Sequence, residues 1–123
     1  MLSDSAETAG VLADIERHID LAVEFAAATD DAAFVEDTRT VYAVTRCLEI
    51  ISEASRRLPE DRKARHPSIP WKNIAGAGNV YRHDYEDVAA RVVLDTVKLA
   101  LPPFKAAIVE EIERICGPFT EPE

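Results

Sequence analysis

Residues 34–58 read FVEDTRTVYAVTRCLEIISEASRRL. Apolar or small side chains stand at Phe34, Val41, Val44, Leu48, Ile51, Ser55 and Leu58, at steps of seven, three, four, three, four and three. Alternating threes and fours keep one face of a helix apolar over many turns. The same spacing is a seven-residue repeat, which suits helices packed nearly parallel in a bundle. The pattern predicts a helix over residues 32–57, with Thr29-Asp30-Asp31 breaking the preceding run and capping this one.

The flanking segments carry the same period. Val11, Ile15, Ile19, Ala22 and Phe25 or Ala26 mark a first helix, with Asp4 as its candidate N-cap. Pro59 opens a polar stretch through His66 with room for a single helical turn, and His66 reads as exposed. Pro67 and Pro70 interrupt the chain there, because proline lacks the donor and disfavours helix in the residue before it. Pro70 suits the first turn of a short helix starting near Trp71 and ending near Tyr81–His83. The last helix spans about Glu86 to Cys116, with Val93, Val97, Leu101, Phe104, Ile108, Ile112 and Ile115 on one stripe. Pro102-Pro103 lies inside it and predicts a kink, not two helices, since the stripe stays in phase. Gly117-Pro118 stops it. No Asn-Gly or Asp-Gly hairpin turn occurs. The expected fold is all-α: an antiparallel four- to five-helix bundle over residues 1–116, with 117–123 as a loose tail.

Composition narrows the function. The chain has 123 residues, 47% of them apolar, which excludes a disordered chain and fits one domain. No apolar run is long enough for a membrane span, and the N-terminus does not look like a signal peptide, so a cytoplasmic location is expected. Cys47 and Cys116 form no CxxC pair and read as reduced, buried helix thiols. The net charge of −9 speaks against a sequence-blind nucleic-acid binder, which needs a basic face. The charge is uneven, however. Residues 56–72 hold six bases (Arg56, Arg57, Arg62, Lys63, Arg65, Lys72) against Glu60 and Asp61. That stretch is either a solvated helix end, where bases suit the dipole, or a local phosphate-attracting patch.

No HExxH, EF-hand, phosphate-loop or dinucleotide fingerprint occurs, so no metal or cofactor is expected. The chemistry-bearing cluster is Asn79-Val80-Tyr81-Arg82-His83-Asp84-Tyr85. Histidine transfers protons near neutral pH, and arginine offers a planar fork to phosphate oxygens. The pair fits phosphodiester cleavage; it also fits a polar helix terminus with half-buried tyrosines. Trp71 fits a core anchor better than a base-stacking platform.

Three blocks, in order and at matching spacing, resemble the HepT-like family of the HEPN superfamily. They are Arg46–Leu58, Ile69–Gly76 with Asn79–Tyr85, and Asp95-Thr96-Val97 with Leu101-Pro102. The resemblance covers roughly residues 10–112. It implies a helical domain that forms a homodimer, with two signature motifs facing one cleft. It implies a metal-independent ribonuclease, the toxin half of a toxin–antitoxin pair. The implied partner is a nucleotidyltransferase (MntA-like) antitoxin that neutralises the toxin by transferring AMP to the signature tyrosine. His83 and Tyr85 match the signature His-x-Tyr, and Asn79 matches its polar residue. Gly78 stands in the slot of the usual arginine, and Arg82 is the candidate substitute. The implied catalytic set is therefore His83, Arg82 and Asn79, with Tyr85 as AMP acceptor. Arg56, Arg57, Arg62 and Lys63 are the candidate RNA-steering bases, and Glu53 a candidate orienter of Arg82 or Arg46. The alternative is a catalytically degenerate HEPN domain that binds a nucleotidyltransferase.

Overall fold

Asp37 divides the decisive stretch in two. A short helix α2 (Asp31–Glu36) ends there and a long helix α3 (Thr38–Ser55) begins. The Asp37 carboxylate accepts from the Thr40 amide at 3.2 Å and the Thr40 hydroxyl at 2.7 Å. Those bonds hold the Asp37 carboxyl below its ordinary pKa, the Thr40 hydroxyl contributing most. The predicted single helix over 32–57 is thus broken by a capping residue that the apolar spacing does not register. Asp30 caps α2 through the Ala33 amide at 2.8 Å, as expected of that stretch. The apolar seam runs across the break: Phe34, Val44, Leu48, Ile51, Ser55 and Leu58 are all buried, and Val41 partly so.

The computed structural model describes residues 2–83 and 87–117, and of residues 2–5, 78–83 and 87–89 the backbone alone. Around α3 stand α1 (Leu2–Ala27), the short α4 (Glu60–Ala64), α5 (Trp71–His83), α6 (Asp87–Asp95) and α7 (Leu101–Cys116). The first helix already includes Leu2, so the expected cap Asp4 lies within it. Among the described residues there is no strand, so the fold is an all-α bundle. No described helix is long and apolar enough to cross a membrane. One side of α1 packs along α3 and another along α7, while α5 packs on α3. The core lies between them, with Leu12, Ile15, Ile19, Phe34, Val44, Leu94 and Ile108 shut off from solvent.

The expected disturbance at Pro102-Pro103 takes a definite form. Residues Thr96–Ala100 wind as a π-helix, and the Leu101 amide bonds back five residues to the Thr96 carbonyl. The wider turn absorbs the proline rings and leaves both prolines in the first turn of α7, where missing donors cost little. Helix therefore runs from Asp87 to Cys116 without a loop. It stops at Gly117, whose φ of 78° is the left-handed conformation glycine adopts freely.

Two burial expectations are overturned. His66 is buried, because its ring turns inward onto α7. Cys47 is buried, and burial pushes its thiol pKa up, but Cys116 is exposed in the last turn of α7.

Candidate functional site

The site is built on α5. Pro70 precedes its first residue, Trp71, as the sequence predicts. The helix is described through His83, and the expected end near Tyr81–His83 borders residues that lie outside the described ones. The Trp71 indole N–H reaches the carbonyls of Lys63 at 3.0 Å and His66 at 3.1 Å. The ring also meets Phe104 of α7 edge-on, with centroids 5.5 Å apart and planes at 71°. Trp71 is thus an anchor, partly buried against the core. One turn on, the Ala75 carbonyl accepts from Ser52 Oγ at 3.0 Å and from Arg56 Nε and Nη2 at 3.0 and 2.5 Å.

Asn79, Arg82 and His83 all fall on the last described turns of α5. Asn79 and His83 are four residues apart, one turn along the helix, and so are Gly78 and Arg82. Tyr85 lies outside the described residues.

The four candidate steering bases do not form one free patch. Arg56 is spent on Ala75, and Arg62 Nη1 on Glu111 Oε1 at 3.0 Å. Lys63 faces Glu60 at 3.6 Å. Arg57 is exposed and lines a groove of about 590 Å³ with Glu7, Thr8, Val11, Pro59, Asp61 and Arg62. Glu53 is exposed on α3.

Sequence reasoning missed Glu111. It is 2% exposed, on the apolar face of α7 between Ile108 and Ile112. Its Oε1 accepts from Arg62 at 3.0 Å and Arg65 at 2.8 Å. Its Oε2 accepts from His66 Nε2 at 2.7 Å and Arg114 Nε at 3.1 Å. Burial alone would push this carboxyl's pKa up. The hydrogen bonds from His66 and Arg62 and the charge of Arg65 outweigh it and hold the pKa below the ordinary value of 4.5. The signal in the sequence was an acid on an otherwise apolar stripe. Among the described residues, no three His, Cys, Asp or Glu side chains gather as metal ligands.

Comparison with known proteins decides the family. The family model described as HepT-like, Ribonuclease HepT-like, matches residues 15–111. The chain belongs to the HepT-like ribonuclease family. A protein of Thermococcus cleftensis named "Probable ribonuclease HepT" is 42% identical over 94 residues, covering 76% of this chain and 86% of the relative. A "Putative RNase" of Methanocaldococcus jannaschii is 35% identical over 104 residues, covering 85% and 86%. Another, of Caldanaerobacter subterraneus, is 33% identical over 81 residues, covering 66% and 72%. No solved structure matches. The HepT-like match takes in α3, α4, α5 and the α7 residues through Glu111.

Proposed function

We propose that this chain is a metal-independent endoribonuclease, acting through His83, Arg82 and Asn79 at a cleft shared by a homodimer. The observation that carries it is the signature-like sequence Asn79…His83-x-Tyr85, with Asn79 and His83 one turn apart on α5, inside a HepT-like match over residues 15–111. The relatives named as RNases point the same way. Gly78 leaves the usual arginine slot empty, and Arg82 lies four residues, about 6 Å, further along on nearly the same side of the helix. That displacement is comparable to the length of an arginine side chain.

In this scheme a histidine base takes the proton of a ribose 2′-hydroxyl. The freed oxygen attacks the adjacent phosphorus, and the bond to the 5′-oxygen breaks. The leaving oxygen takes a proton from a histidine acid, so two copies across the cleft supply one group for each task. Arg82 balances the charge that builds on the phosphorus oxygens. Asn79 orients a phosphate oxygen or His83. RNA steering falls first to Arg57; Arg56, Arg62 and Lys63 add charge from within their own contacts.

The wider setting is a toxin–antitoxin pair in the cytoplasm. A nucleotidyltransferase antitoxin transfers AMP from ATP to the Tyr85 hydroxyl, which loses its proton as pyrophosphate leaves, and the added charge and bulk repel RNA. Incubation with RNA in EDTA tests the core of the proposal: the wild type cleaves and His83→Ala does not. Equal cleavage by both, or none by either, overturns it. Coexpression with the nucleotidyltransferase should add one or more AMP masses, lost in Tyr85→Phe. Gly78 favours one second reading, a degenerate domain that only binds the nucleotidyltransferase. A stable complex with that partner, without cleavage by the wild type, would support it.

A further inference from the structure

Glu111 joins parts of the chain that are far apart in sequence. Three of its four partners come from residues 62–66, between 45 and 49 positions earlier. The charged and titratable groups around it are Arg62, Arg65 and His66 on one side, and Arg114 and Glu110 of its own helix on the other. The segment it grips carries the two carbonyls, of Lys63 and His66, that seat the Trp71 indole. Trp71 is the first residue of α5, and His83 stands twelve residues further along it. A helix of that length is about 18 Å from end to end. A tilt of roughly 5° at Trp71 would carry the His83 end by about 1.5 Å, enough to cost a catalytic group its geometry.

We infer that Glu111 is a positioning residue for RNA cleavage: by gripping Arg62, Arg65 and His66 it fixes the carbonyls that seat Trp71, and so aims α5. The inference rests on the ribonuclease reading. Stability alone does not call for this carboxylate. Apolar side chains often replace a buried ion cluster without loss, whereas a carboxylate with four fixed donors specifies one geometry. The path has two steps, Glu111 to the 62–66 segment and that segment to Trp71, and each can be cut separately.

Glu111→Gln keeps the shape but turns an amide N–H toward donors. Trp71→Phe keeps an aromatic ring facing Phe104 but removes the N–H. Steady-state RNA cleavage should show kcat reduced roughly tenfold or more in each, with KM unchanged, at native helix content by circular dichroism. The double variant should be no slower than the slower single one, because both cut one path. Trp71 is the only tryptophan in the chain, so its emission in Glu111→Gln should shift to the red as the indole N–H loses its seat. Unchanged kcat in either folded variant overturns the inference, as do fully additive losses. Loss of kcat with Trp71 emission unmoved overturns it too. If Glu111→Gln does not fold, Trp71→Phe decides alone: full kcat overturns the inference, and reduced kcat at unchanged KM supports it. A wild type that leaves RNA intact overturns the ribonuclease reading itself, a result distinct from a cleaving wild type matched by its variants.

Discussion

Phe34 and Glu111 are hidden from solvent almost equally, at 0% and 2% exposure, but by opposite means. Phe34 needs only apolar neighbours of the right shape. Glu111 needs each of its donors in place, because a buried charge is tolerated only when paired. One side chain supplies cohesion and the other supplies direction. Their loss should therefore differ in size, in pH dependence and in what is lost.

Phe34→Ala should give the largest effect, a loss of about 3–5 kcal/mol, read by urea unfolding. Helix α2 has only six residues, too few to persist without its buried anchor. The loss should be the same at pH 7 and pH 4. A loss under about 1 kcal/mol would mean that the site collapses around the gap, and the contrast with Glu111 would fail.

Glu111→Gln should cost about 2 kcal/mol at neutral pH, the scale for buried donors losing a charged acceptor. Its signature is the pH profile. The folded carboxyl has a pKa below the ordinary 4.5, so the unfolded chain binds the proton more readily. Wild-type stability is then fully present above about pH 4.5 and falls as pH drops through the depressed folded value. Thermal melts should show the variant losing that part of the acid dependence, with variant and wild type converging at low pH. A gap that stays constant from pH 7 to pH 3 would show that the carboxylate's charge is not what the cluster uses.

The same contrast explains what the sequence disclosed. The α3 seam, the start of α5 after Pro70 and the stop at Gly117 follow from local spacing and backbone chemistry, so they were legible. The Asp37 break was not, because a capping carboxylate inside an apolar rhythm looks like any polar-face residue. The π-helix was half legible: the prolines foretold a disturbance but not the five-residue bond that accommodates it. His66 was misread, and the contact of Arg62 missed, for a deeper reason. A basic loop reads as solvated unless its acid is known, and that acid stands 45 or more residues away. The signature residues were found by resemblance to a family motif; spacing placed them only at a helix end.

Thr29 turns the polar side of the comparison around. Its Oγ1 is buried with no hydrogen-bond partner, the reverse of the fully engaged Glu111. Thr29→Val removes a donor and acceptor that gain nothing from burial, and should raise stability by about 1 kcal/mol. Equilibrium unfolding checks the sign. A loss would mean that water or a neighbour satisfies the hydroxyl in solution, and Thr29 would join Glu111 among the engaged polar groups.

The smallest effect should come from an ion pair with the same chemistry as the Glu111 cluster and none of its burial. Lys105 Nζ lies 2.6 Å from Asp20 Oδ1, joining α7 to α1, with the two side chains 42% and 54% exposed. The Asp20 carboxylate hydrogen bond holds the Lys105 ammonium above its ordinary pKa, but water competes for both groups. A double-mutant cycle with Lys105→Ala and Asp20→Ala should return a coupling of about 0.5 kcal/mol or less at low salt. At molar salt the coupling should vanish, since screening there acts over about 3 Å. The couplings of Glu111 with Arg62 and His66 should survive that salt, because those contacts lie out of its reach. A salt-resistant Lys105–Asp20 coupling would show that distance, and not burial, sets the strength of charge pairs in this bundle.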